Sequence, residues 1–319
     1  MTNRLKFVFL ALCLFINATI DAQILGILKD KLKEKAIEKS TSLVGNNVKN
    51  MITNEAITTN FKDCDQSNIK PPTFGNQEKY SSLCSSEMTE KGFVLKPGYY
   101  EINVKSFCLK AGTHAPSKGD GYLYAPLNGP KKEIVDKVVK NWAKHPEIKQ
   151  NDVQALLWAI IAKASFKNLN PDLQLVATKL LSSKDILSLT KMGLDFIPAS
   201  TMSDVKSSLP KSVQVVLEAE NKIRQAFSSS SYNYSELEKF AMLAGFSSEK
   251  SEIDYGTWGL HPNGFWISYQ PQGYSQMTVK IYVPETVSTA YYLPSDDVAV
   301  PANTSSQRLI LSDVKDCQN

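Results

Sequence analysis

Two side chains far apart in the chain carry the chemistry that the sequence offers, Cys108 in Phe107-Cys108-Leu109 and Gln154 in Val153-Gln154-Ala155-Leu156-Leu157-Trp158. A thiol held against a carboxamide in a site closed to water can displace ammonia and leave an internal thioester, a stored acylating group. A lysine amine or a hydroxyl that attacked the carbonyl would become covalently attached, and the Cys108 thiol would be released. The same residues have plainer readings. Asn151-x-x-Gln154 is also a capping pattern, in which Gln154 reaches back to the N–H of the cap residue. Cys108 could instead pair with Cys84 across neighbouring strands. His114, six residues beyond Cys108, could activate the thiol as in a cysteine hydrolase or carry an acyl group. A solvated loop histidine is the simpler reading.

The elements that must position this pair are legible. In the stretch from Phe93 to Phe107, Tyr100, Ile102 and Val104 alternate with Glu101, Asn103 and Lys105, which predicts a strand that delivers Cys108 at its end. The loop from Ala111 to Pro130 contains four glycines, and Gly119-Asp120-Gly121 reads as a tight turn, not a phosphate cradle. Ile134, Val135, Val138, Val139 and Trp142 form one face of a helix that ends at His145-Pro146. Asn151 or Asp152 then caps a second helix, which places Gln154 in its first turn with Trp158 one turn further on to shield a bond. Helical signals continue to about Phe246. From Tyr255 onward the period returns to that of strands, with a turn at Pro271-Gln272-Gly273-Tyr274 between two of them. The expected fold is therefore α+β, a β framework (sheet or sandwich) with a helical bundle inserted in the middle third.

In its two short motifs the chain resembles the thioester domains of bacterial surface adhesins. An aromatic residue or leucine, then Cys and an aliphatic residue, is matched by Phe107-Cys108-Leu109. A hydrophobic residue, Gln, two variable positions and two hydrophobics are matched from Val153 onward. The helix from Ile134 to Trp142 between the motifs is similar too. Over residues 107–158 the resemblance implies a Cys108–Gln154 thioester that acylates a protein or glycan target on a surface, once per molecule.

Composition and targeting bound the rest. The chain has 42% hydrophobic and 21% charged residues and a formal net charge of +4, a bias too weak to point to nucleic acid. Arg4 and Lys6, an apolar core from Phe7 to Ile16 and a small-residue exit predict a signal peptide over 1–22, cleaved after Ala22, hence a secreted or cell-envelope protein. No other run is long and apolar enough for a membrane helix. Cys64, Cys84, Cys108 and Cys317 remain, an even number that in an exported protein suggests two disulfides in one of three pairings. His114, His145 and His261 are too scattered for a zinc site, and no cofactor motif is seen. The expected organisation is an amphipathic helix over 23–60, a β-plus-helix region carrying both motifs over 61–170, helices over 171–250 and a β region over 251–319. The aromatic residues between Trp258 and Trp266 and at Tyr291-Tyr292 are candidates for core or for a binding surface. A disulfide-stapled structural or interaction protein is the alternative to covalent attachment.

Overall fold

The computed structural model describes residues 48–76, 78–191, 194, 197–229, 233–249, 251–313 and 317. The signal peptide expected at 1–22 lies outside these residues, as does most of the helix expected from Ile24. By packing the chain divides into two units, 1–54 and 55–319. The first contributes a helix at 48–53 (α1).

The second unit begins with β1 (Ile69–Lys70), β2 (Ser81–Ser82), β3 (Met88–Thr89), β4 (Gly92–Leu95), β5 (Gly98–Cys108), β6 (Thr113–His114) and β7 (Tyr122–Ala125). Helices follow: α2 (Lys132–Trp142), α3 (Gln150–Ile161), α4 (Pro171–Leu180), α5 (Ser183–Lys191), α6 (Ala199–Ser207), α7 (Lys211–Ser228) and α8 (Tyr234–Ala241). The chain closes with β8 (Met242–Leu243), β9 (Trp258–Leu260), β10 (Trp266–Pro271), β11 (Gln276–Val283), β12 (Ala290–Tyr292), β13 (Val298–Pro301) and β14 (Leu309–Leu311). The fold is mixed α+β on a β framework, a mostly antiparallel sheet curled into a half-barrel. No helix among the described residues is long and apolar enough to cross a membrane.

In the nine-stranded sheet the order is β1-β9-β10-β11-β5-β14-β13-β7, and β2 lies parallel to the first half of β5. Strand β5 is the longest and lies within the sheet, antiparallel to β11 from Gly98 to Lys105 and to β14 from Ser106 to Cys108. Its burial alternates at first, as in a strand with one wet face. It then becomes continuous from Ser106 to Cys108, as in a strand covered on both faces. Phe107 there meets Trp142 of α2 edge to face, ring centroids 5.1 Å apart.

The disulfide joins Cys84 to Cys317. This corrects two expectations: Cys108 is not paired with Cys84, and Cys64 is not bridged. Both are buried free thiols. Trp258, Phe265 and Tyr292 belong to the core, whereas Tyr291 is exposed.

Candidate functional site

Strand β5 outlasts its neighbour β11, and this mismatch builds the site. The Cys108–Leu309 pair is one whose backbone groups point away from each other, since the next bond runs from the Leu109 N–H to the Arg308 carbonyl, 3.0 Å. The N–H and C=O of Cys108 therefore face the edge that β11 has already vacated. The last contact on that edge is the Ser106 N–H donating to the Ser275 carbonyl, 3.1 Å. Buried backbone groups must find partners, and helix α3 supplies them. Gln150 Nε2 donates to the carbonyls of Ser106 (3.2 Å) and Ser275 (2.8 Å). The Cys108 N–H donates to Gln154 Oε1 at 2.8 Å, and Gln154 Nε2 donates to the Cys108 carbonyl at 3.2 Å.

The spacing matches for a simple reason. Four helical residues rise about 6 Å and two strand residues about 6.6 Å, so Gln150 and Gln154 fall opposite Ser106 and Cys108. Gln154 is fully engaged by one residue, with its carboxamide against the backbone of Cys108. The cysteine is wholly buried and the glutamine nearly so. The donor and acceptor pattern of the strand fixes which end of the amide is oxygen. The Cys108 N–H is thereby aimed at the oxygen that would gain charge when a nucleophile attacks the amide carbon.

Helix α3 starts two to three residues earlier than expected, at Gln150. Lys149 occupies the N-cap without a side-chain cap bond, and neither Asn151 nor Asp152 caps. The capping role expected for Gln154 is replaced by its contact with β5, because satisfying the buried strand edge is worth more than satisfying a helix end open to water. Trp158, one turn beyond Gln154, is fully buried. Its ring stacks on Tyr234 with centroids 5.5 Å apart.

Helix α8 closes the other side. Tyr234 and Glu238 lie four residues apart on one face of it, and Met242 follows as its extended C-cap residue, the first of β8. The Met242 sulfur lies 3.9 Å from Cys108 Sγ. The end of α8 is tied to the segment just after Cys108, with the Gly112 N–H donating to the Ala241 carbonyl at 2.8 Å. Thr113 of β6 is in register with Met242 of β8. Gly112 has φ +71°, and a Cβ there would lie 3.0 Å from the Val215 carbonyl oxygen, so this close passage requires glycine. The hydroxyls of Tyr234 and Tyr274 are 3.0 Å apart, and Tyr274 donates to Glu238 Oε1.

Burial pushes the Cys108 thiol well above its ordinary range, and the charge of Glu238 adds to that. A free Cys108 is thus a protonated thiol. His114 lies on β6, half-buried, with Nδ1 3.2 Å from the Gly245 carbonyl oxygen. That contact engages one ring nitrogen with a backbone carbonyl. Among the described residues no group of three or more His, Cys, Asp or Glu is placed to hold a metal ion.

The structure therefore brings Cys108 and Gln154 together. It adds residues that the sequence reading left out: Gln150, Tyr234, Glu238, Met242 and Tyr274. The row Gln150, Gln154, Trp158 could have been found from its four-residue spacing. Fold and site together define an α+β protein with a buried cysteine–glutamine pair at the end of its longest strand. No family model matches the chain, and no curated protein or solved structure matches it.

Proposed function

We propose that this is a secreted bacterial adhesion-type protein in which Cys108 and Gln154 form an internal thioester that attaches the protein to amine or hydroxyl groups on a surface target. The observation that carries this reading is the two-point contact of the Gln154 carboxamide with Cys108, whose sulfur is outside the disulfide. Attack of Sγ on the amide carbon would form the C–S bond and expel the nitrogen as ammonia. Burial beneath Trp158 and α8 would protect the product from water. Export is supported by the positively charged, apolar start of the chain and by the Cys84–Cys317 bond, which fits an oxidising compartment. The α-helices described between β7 and β8, α2 to α8, fit a helical bundle inserted into the β framework.

A second reading has its own observation. Gln150 also donates to the strand edge, at the Ser106 carbonyl, where there is no thiol. Gln154 could then be a strand-edge partner only, in a disulfide-stapled structural or interaction protein. Intact mass of the purified protein separates the two. A thioester leaves it lighter by one ammonia, and methylamine adds its own mass while exposing one thiol to alkylation. Full mass, with no uptake of methylamine, would leave only the structural role.

A further inference from the structure

A half-buried carboxylate and two phenols beside a buried thiol need a reason. Glu238 and Tyr234 lie four residues apart on α8, whose C-cap residue Met242, the first of β8, lies on the Cys108 sulfur. Tyr274 comes from the four-residue turn between β10 and β11, where Gly273 takes φ +111°. That turn is pinned to β5 two residues before Cys108, because Ser106 Oγ donates to the Tyr274 carbonyl at 2.9 Å. Two independent elements thus bring Tyr274, Tyr234 and Glu238 into one hydrogen-bonded chain. Its aromatic part lies over Trp158, with Tyr234 stacked on it and Tyr274 tilted at 6.5 Å. The chain joins a half-exposed carboxylate to rings packed on Trp158, one turn beyond Gln154, and the charge of Glu238 acts on Cys108.

We infer that Glu238, working through Tyr274 and Tyr234, is the proton relay for making and opening the Cys108–Gln154 bond; this rests on the thioester reading above. In forming the bond, the Cys108 thiol gives its proton to the relay while sulfur attacks the amide carbon of Gln154. The proton returns to Nε2, the C–N bond breaks and ammonia leaves. In opening, an amine attacks the same carbon and gives up one N–H proton to the relay. The C–S bond breaks, and sulfur takes the proton as a thiol. Neither direction needs an oxidant or a reductant. The need for a relay follows from burial, which keeps the thiol protonated and unreactive on its own. Burial also raises both phenols, and the Tyr274–Glu238 hydrogen bond raises Tyr274 further, so they stay neutral and pass protons without holding charge. The titratable groups facing Glu238 are Tyr234 on its own helix, Tyr274 from the turn and Cys108 from β5.

The experiment measures intact mass and the rate of methylamine uptake across pH for the wild type, Glu238→Gln and Tyr274→Phe, each checked for folding by circular dichroism. Rates are corrected for the fraction of free amine. The wild-type rate should vary with pH, and the variants are read against that profile. Glu238→Gln should either carry the thioester and react on the order of 100-fold more slowly with a flat profile, or fold and remain at full mass. Tyr274→Phe should behave alike, and it carries the test if the glutamine variant does not fold. Variants lighter by one ammonia that react at the wild-type rate and profile would overturn the relay and leave the thioester standing. A wild type of full mass would remove both.

Discussion

Cys64 and Cys108 are both buried thiols outside the disulfide, and their surroundings differ in kind. Cys64 ends a 3-10 turn at Phe61–Asp63, and its sulfur lies 4.0 Å from the Leu123 carbonyl oxygen. That oxygen is an acceptor already fixed in the backbone. Cys108 sits where β5 has lost a neighbour, with a carboxamide on its backbone and a methionine sulfur against its own. Burial raises both thiols, so burial alone cannot mark one for chemistry. What distinguishes them is the side-chain carboxamide held on the backbone of Cys108, where Cys64 has a backbone carbonyl against its sulfur.

The sharpest way to break this comparison is to remove the carboxamide. Gln154→Ala leaves the N–H and C=O of Cys108 buried without their partner, at about 1–3 kcal/mol for each unmet group. A loss of roughly 3 kcal/mol in denaturant unfolding is expected, together with full mass and no methylamine uptake. Cys64→Ala should cost about 1 kcal/mol and leave the mass deficit as it was. If both variants kept the deficit, the acyl bond would have to lie elsewhere.

Gln150→Ala sharpens the contrast along the same helix. Gln150 supports two carbonyls, one of them on an exposed residue where water can take over. The expected loss is about 1 kcal/mol, with the mass deficit retained. Under a strand-edge role alone, the Gln150 and Gln154 variants would differ only in degree. Under the thioester they differ in kind, since only one abolishes an adduct.

How much of this was legible depends on the range of the interaction. The alternation of Tyr100, Ile102 and Val104 gave β5 its face, and the apolar run from Val153 placed Gln154 on a buried helix. Both are local patterns of period two and period near four. The Cys84–Cys317 pairing was not legible, because the two half-cystines are separated by 233 residues and spacing does not determine connectivity. The cap expected at Asn151 failed for a related reason. Local capping preference carries no information on a strand edge that needs partners, and that edge is set by where β11 stops at Gln276. The set Tyr234, Glu238 and Met242 was hidden in a different way. Its three side chains are aromatic, acidic and a thioether, so no single chemical type repeats, and only the fold gives them a common neighbour in Cys108.

The smallest effect tests the two thiols by their titration. Burial, with a contribution from the charge of Asp63, pushes the Cys64 thiol up to about 12. An unfolded cysteine ionises near about 8.5. The folded value is the higher one, so the unfolded chain loses its proton first. The stability Cys64 contributes is full below about 8.5 and declines as pH rises toward about 12. Between about 8.5 and 10, before unfolded tyrosines begin to ionise, unfolding midpoints of wild type and Cys64→Ala should therefore converge or cross. Buried lysines and other groups cancel in that difference. A free Cys108 thiol, also raised, would give a second slope of the same sign, which Cys108→Ala would remove. A Cys108 held in a thioester has no proton to lose, so Cys108→Ala should leave the slope unchanged while the bond survives unfolding. A matching loss of slope in both variants would mean that two thiols titrate, and that the pair at the end of β5 had never been joined.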